Sequence, residues 1–144
     1  MNIKELIPQR EPFLFIDKVL ESSENEIKTT FHLRPELDFF KGHFPNNPIV
    51  PGVILSESCF QSAAALIAIT AESNKNELTP TLAVVSRIQE AKFKKMVKPN
   101  DTVTIKTTLI EKIANAAYFK GDMVNQDGKK ILTIKFACTV VTEE

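Results

Sequence analysis

The chain has 144 residues, enough for one domain with a substantial core, and we expect residues 1–144 to form a single domain. Its 18 basic and 18 acidic side chains cancel, so no global field favours nucleic acid or an anionic membrane. The first residues lack the apolar core of a signal peptide, and the longest apolar run carries too many polar groups for a lipid span. These features predict a cytoplasmic protein without membrane insertion.

In chain order, residues 2–7 predict a short helical turn, and residues 13–20 are rich in strand-forming side chains. A turn at residues 22–25 leads into residues 26–33, where apolar and polar side chains alternate. Together these segments predict an N-terminal hairpin. Residues 35–47 indicate a loop with at most one turn of helix.

A helical period replaces the alternation from Gly52 onward. One helical face carries Val53, Phe60, Ala64, Ile67 and Ala71. Nearly all of this stretch is apolar or small, so we expect a long helix buried on most sides and ending near residues 73–76.

Strand patterns return in the last part of the chain. They cover residues 82–87, 103–109, 116–124 and 132–140, with a hairpin turn at residues 126–128. Two strands, one long helix and then about four antiparallel strands predict an α+β fold. Its sheet would be curved and wrapped around the central helix.

The loop at residues 42–53 holds one of the two histidines, two of the four glycines and three of the eight prolines. Prolines fix the backbone, so His43 can be held in one position. Gly52 permits close approach to a ligand where the helix begins, and the first helical N–H groups have no intrahelical acceptor. Glu57 lies about one turn further on among apolar neighbours, where burial should raise its pKa.

Such a set suits removal of a proton next to a carbonyl group. His43 would be the base, the Gly52 N–H would stabilise the enolate oxygen, and Glu57 would help a leaving group depart. Gln61, four residues after Glu57 on the same face, could orient its carboxyl group. The alternative is an ordinary rigid turn in which His43 is a cap and Glu57 pairs with a lysine.

The same loop, GHFPNNPIVPGV, resembles the signature G-H-F-P-x-x-P-x-x-P-G-V of FabZ-type (3R)-hydroxyacyl-acyl-carrier-protein dehydratases. The acid and glutamine of that family follow at the spacing of Glu57 and Gln61. Residues 7–19 resemble the family's opening, and residues 91–101 its strand and turn before the final strands. The resemblance therefore covers nearly the whole chain.

The resemblance implies a hotdog fold with His43 as base, Glu57 as acid and Gly52 as the residue whose N–H polarises the thioester carbonyl. It implies a homodimer in which His43 and Glu57 of each site come from opposite subunits, and such dimers often form a trimer of dimers. No cofactor is expected, since the thioester already acidifies the α-proton. The substrate would be a 3-hydroxyacyl thioester on acyl carrier protein, and the product the trans-2-enoyl thioester.

Some positions depart from the family pattern. Gln9 and Glu11 stand where histidine and an aromatic residue are usual, and Asn46 and Asn47 where glycine and histidine or aspartate are common. They bear on substrate range more than on reaction type. The glutamate at position 57 favours simple dehydration, because the sister enzyme that also isomerises the double bond has aspartate there.

Two further groups of side chains are candidates for substrate and partner contacts. Phe44 and Phe60, close to the two acid–base residues, are candidates for lining an acyl tunnel, although core packing is the commoner role of phenylalanine. A basic segment supplies docking candidates for an acidic acyl carrier protein: Lys92, Lys94, Lys95 and Lys98. The same lysines would also protect a solvated strand edge.

Cys59 and Cys138 stand in apolar patterns without metal-ligand spacing, so buried free thiols are favoured over a disulfide and no metal site is predicted. The sequence as a whole favours a dehydratase of type II fatty acid synthesis. Three alternatives stay open: a hotdog thioesterase, a dehydratase of a specialised polyene or lipid pathway, and a non-catalytic subunit that binds acyl carrier protein.

Overall fold

The computed structural model describes residues 2–74 and 81–142. These residues contain a short helix α1 (Ile3–Leu6), a 3₁₀ turn (Asp38–Lys41), one long helix α2 (Gly52–Asn74) and six strands. The strands are β1 (Lys18–Ser22), β2 (Glu26–His32), β3 (Thr81–Phe93), β4 (Thr102–Ile113), β5 (Ala116–Val124) and β6 (Lys130–Thr142). They form one antiparallel sheet in the order β1-β2-β4-β5-β6-β3. The predicted α+β arrangement is confirmed.

The helix α2 packs against the inner face of the sheet and contacts strands β2 to β6. Strand alternation explains this layer, because side chains two apart along a strand share one face. Phe119 and Phe136 are register partners on that face, with ring centroids 5.6 Å apart. The other fully buried large side chains of the inner face are Ile27, Phe31, Ile105, Met123, Leu132 and Ile134.

Close approach of helix and sheet depends on Gly121 at the middle of β5. A Cβ atom there would lie 3.1 Å from Ile134 and 3.3 Å from the Sγ of Cys59. Cys59 and Cys138 are both buried free thiols, as predicted. Burial raises the pKa of both thiols, that of Cys138 to about 12, so neither ionises near neutral pH.

Among the described residues, Gly52–Ala71 is the single helical stretch long and apolar enough to cross a membrane by length and composition alone. Half of it is buried within the fold. Packing inside the sheet therefore accounts for its apolar character. The more exposed face includes Val53, whose exposed fraction is 75%.

Three strand predictions were inaccurate by four or more residues at one end. One of them is β4, which continues to Ile113, four residues beyond the predicted end at Leu109. Residues 13–17 do not belong to the sheet, and β1 begins at Lys18. Phe15 is instead buried, and its backbone N–H donates to the Oε1 of Gln61 at 2.8 Å. At the other edge, β3 continues to Phe93, six residues beyond the predicted end at Arg87.

Candidate functional site

Backbone hydrogen bonds anchor the loop at residues 42–53 at both ends. The N–H of His43 donates to the carbonyl of Phe39 at 3.1 Å, and the N–H of Ile49 donates to the carbonyl of His43 at 2.9 Å. The N–H of Val50 donates to the carbonyl of Val97 at 2.9 Å. The loop is thus tied to the 3₁₀ turn and to the segment after β3, which fixes the backbone of His43.

The imidazole of His43 is oriented by its own loop. Its Nδ1 lies 2.8 Å from the carbonyl oxygen of Ile49, and its ring stacks on Phe44 with centroids 4.2 Å apart. A carbonyl only accepts, so Nδ1 carries the proton in this contact. The lone pair of the neutral ring is then on Nε2, the arrangement that a general base requires.

The helix α2 begins beside this histidine with free donors. The carbonyl of Pro51 accepts the first helical hydrogen bonds, from Ile54 at 3.0 Å and Leu55 at 3.2 Å. Within the described residues, the N–H groups of Gly52 and Val53 donate to no acceptor. Free N–H groups at the positive end of a helix dipole stabilise a negative oxygen.

His43 and Gly52 line one open cavity of about 620 Å³. Its wall consists of His43, Phe44, Ile49, Val50, Gly52, Leu55, Phe93, Lys94, Lys95 and Met96. The structure therefore brings together the predicted base, the predicted carbonyl-polarising residue, one predicted tunnel phenylalanine and two of the predicted docking lysines.

Glu57 and Gln61 form a second group on the same helix. The Nε2 of Gln61 donates to the Oε2 of Glu57 at 3.1 Å and to the carbonyl of Phe13 at 2.9 Å. The backbone N–H of Phe15 fixes the amide orientation by donating to its Oε1. The predicted Glu57–Gln61 contact is therefore present, and the chain before β1 holds it in place.

Desolvation of the half-buried carboxyl group raises the pKa of Glu57 above its ordinary value, and the hydrogen bond from Gln61 opposes the shift in part. The charge of Glu57 also contributes to the raised pKa of Cys138 on the inner face of β6. The carboxyl group thus retains its proton at higher pH than an exposed glutamate, as predicted from its apolar neighbours.

Glu57 does not line the cavity that contains His43. Phe60, the second predicted tunnel residue, is not on that wall either. Its half-buried ring packs edge-on against Phe136 with centroids 4.8 Å apart. In the described chain, the predicted base and the predicted acid therefore belong to separate groups of residues.

The four predicted docking lysines differ in their surroundings. Lys94 and Lys95 line the cavity, whereas Lys92 pairs with Glu90 at 3.4 Å. Lys98 is exposed, and its backbone N–H donates to Asp101 at 2.9 Å. Among the described residues no carboxylate pairs with Lys94 or Lys95, so the cavity wall carries two positive charges.

Five residues of the cavity wall were not among the predicted site residues: Ile49, Val50, Leu55, Phe93 and Met96. Of these, Phe93 and Met96 lie outside the loop and the helix. Both have large exposed fractions, 52% and 62%. Their apolar side chains interrupt a run of lysines, and this is the feature of the sequence that could have marked them as site residues. Only the fold shows that they line the same cavity as His43 and Gly52.

Comparisons with known proteins find relatives that match most of the chain. The FabA-like domain model matches residues 7–135. The 3-hydroxyacyl-[acyl-carrier-protein] dehydratase FabZ of Rickettsia bellii is 37% identical over 143 residues, covering 96% of this chain and 93% of that protein. FabZ of Lactococcus lactis subsp. lactis is 36% identical over 139 residues, covering 96% and 88%.

Solved structures with low sequence identity share the fold. The dehydratase heterocomplex ApeI:P from Xenorhabdus doucetiae has a TM-score of 0.81 at 14% identity, covering 96% of this chain and 90% of that one. The PaaI protein of E. coli has a TM-score of 0.66 at 15% identity, covering 85% and 81%. Sequence and structure together show that the chain belongs to the FabA-like family and is a FabZ-like member with the hotdog fold.

Proposed function

We propose that this protein is a hydro-lyase that dehydrates a (3R)-3-hydroxyacyl thioester on acyl carrier protein to the trans-2-enoyl thioester, in fatty acid biosynthesis. One structural observation carries the proposal: His43, with Nδ1 committed to Ile49, shares a cavity with the free N–H of Gly52. Relatives named as FabZ dehydratases, similar over most of the chain, support the same reaction.

The chemistry follows from the roles that these groups can take. Nε2 of His43 removes a proton from C2, and the thioester oxygen gains negative charge opposite the Gly52 N–H. The electron pair then forms the C2–C3 double bond as the C3–O bond breaks. Glu57, whose raised pKa favours the protonated form, supplies the proton that turns the departing hydroxyl into water. Transfer of the proton from His43 back to Glu57 restores both groups.

We also propose a homodimer with shared sites. Within the described residues β3 pairs only with β6, so its outer edge is open over 13 residues. On the inner face of this edge, Val85, Ile88 and Phe93 have exposed fractions of 37%, 54% and 52%. A long apolar open edge favours pairing with a second strand, and a second copy is the simplest partner. Glu57 of that copy would then complete the site of His43, and three such dimers would give the expected trimer of dimers.

The basic rim supports a carrier protein as partner. Lys94 and Lys95 lie on the cavity wall, where they would attract the acidic surface of an acyl carrier protein while its thioester arm enters. A substrate delivered in this way supports a cytoplasmic location.

Intact-mass measurement of 3-hydroxyacyl carrier protein tests the reaction directly. We expect wild-type protein to remove one water from the carried acyl group, and His43→Ala to lose this activity while the assembly stays folded. His32→Ala is the matched control, because His32 is the other histidine and lies at the end of β2. Unchanged turnover in His43→Ala would refute the assignment of the base, and release of free carrier thiol instead of water would indicate a thioesterase.

A further inference from the structure

The ring of Phe93 lies directly against the start of α2. A Cβ atom added to Gly52 would lie 3.0 Å from Cε1 and 3.2 Å from Cζ of this ring. Because Gly52 does not have a positive φ, its need for glycine is steric rather than conformational. The close neighbour that the glycine admits, within the described chain, is Phe93.

The backbone of Phe93 is fixed, although half of its side chain is exposed. Phe93 is the last residue of β3 and pairs with Leu132 of β6. The next residue, Lys94, donates its N–H to the carbonyl of Ile131 at 2.8 Å. The ring therefore projects from an anchored strand end into the cavity that His43 and Gly52 also line.

An apolar ring in this position has a defined electrostatic effect. In a helix, Cβ atoms tilt towards the N-terminus, so the ring that crowds the Cβ site of Gly52 lies on the side where the free N–H groups emerge. A ring in this position would take the place of water beside these donors, and a hydrogen bond to an anionic oxygen is stronger where water is excluded.

We propose that Phe93 is a positioning residue for the reaction: its ring, packed on Gly52, keeps water from the helix start and sets where the thioester oxygen meets the Gly52 N–H. This inference rests on the dehydration proposed above. It also assigns a second role to Gly52, which provides both the donor and the space for the ring.

A double-mutant cycle measures this coupling. Phe93→Ala removes the ring, while Gly52→Ala keeps the N–H but adds a Cβ that shifts the ring by a few tenths of an ångström. We expect each single variant to lower kcat about tenfold with a smaller change in KM, less than the 10²–10³ lost when an oxyanion donor is removed. The double variant should be no slower than Phe93→Ala, because without the ring the Cβ added at position 52 has no contact to disturb.

Phe93→Leu and Ile113→Ala complete the set. Leucine at position 93 should restore kcat to within about threefold of wild type, since it refills much of the apolar wall. Ile113, with a similar exposed fraction of 53% at the far end of β4, should be replaceable without loss. Sedimentation of each variant checks that the wild-type assembly is retained.

An active wild-type enzyme with equally active Phe93→Ala, or rate losses that simply multiply in the double variant, would overturn the role of Phe93 alone. A wild-type protein that removes no water from the carrier-bound substrate would overturn the proposed function, and this inference with it.

Discussion

Glu57 shows, at the scale of one residue, how a group suited to chemistry weakens the fold that holds it. Its pKa is raised above the ordinary value of 4.5, chiefly because burial disfavours the charged form. The folded state therefore holds this proton more tightly than the unfolded state. The contribution of this proton to the free energy of unfolding is fully present below the ordinary pKa of Glu57. It is lost as the pH rises through the pKa of Glu57 in the folded state.

Glu57→Gln should therefore be inactive but relatively more stable at neutral pH. Glutamine has nearly the same shape and cannot ionise, so position 57 of the variant contributes no loss of stability as the pH rises. We expect the melting temperature of the variant, relative to wild type, to rise from acidic pH towards neutral pH. Thermal melts over this range, with dehydration measured in parallel, test both parts. A difference in melting temperature that does not change with pH, or full activity in the variant, would contradict the assignment of Glu57.

At the scale of secondary structure, the sheet contains two buried threonines, one with a hydrogen-bonded hydroxyl and one without. The hydroxyl of Thr29 on β2 lies 2.7 Å from the Oγ of Ser62 on α2. The hydroxyl of Thr107 on β4 is equally buried but has no partner among the described residues. Because an unpaired buried hydroxyl costs about 1–3 kcal/mol, these positions should respond in opposite ways to removal of the hydroxyl.

Thr107→Val should raise the free energy of unfolding by about 1 kcal/mol, since valine keeps the shape and suits a strand. Thr29→Val is the matched control and should lower it by a similar amount, because it breaks the bond to Ser62. Urea unfolding of both variants gives the comparison. A destabilised Thr107→Val would mean that its hydroxyl has a polar partner in solution.

The sequence predictions of helices and strands were accurate where the signal is local and inaccurate where a distant contact decides the structure. Alternation and helical period are local signals, and they predicted β5 and α2 closely. Residues 13–16 look like a strand because they are apolar, but the carbonyl of Phe13 and the N–H of Phe15 bond to the side chain of Gln61. No local pattern encodes such a distant partner. The local motif could likewise predict His43 and Gly52 as site residues, whereas the contact between Phe93 and Gly52 depends on how β3 meets α2.

At the scale of the whole molecule, His43 and Glu57 belong to separate groups of residues within one chain. The proposed dimer has to bring the His43 of one copy and the Glu57 of the other into one site. The cavity of His43 does not include Glu57, and within the described residues the β3 edge is open. The proposed dimer has two-fold symmetry, so the Glu57 of each subunit would lie in the site that contains the His43 of the other subunit. Two inactive variants, each with one intact group, should then complement each other.

Mixing His43→Ala with Glu57→Gln after unfolding and refolding them together should restore activity. In a mixed dimer, one site receives both altered residues, while the other combines an intact His43 with an intact Glu57. Random pairing makes half of the dimers mixed and half of their sites intact, so we expect about a quarter of wild-type activity. Each variant refolded alone provides the background, and dehydration of 3-hydroxyacyl carrier protein is the readout. If both residues of a site came from one subunit, the refolded mixture would stay as inactive as the separate variants, because no pairing could bring the two intact groups together.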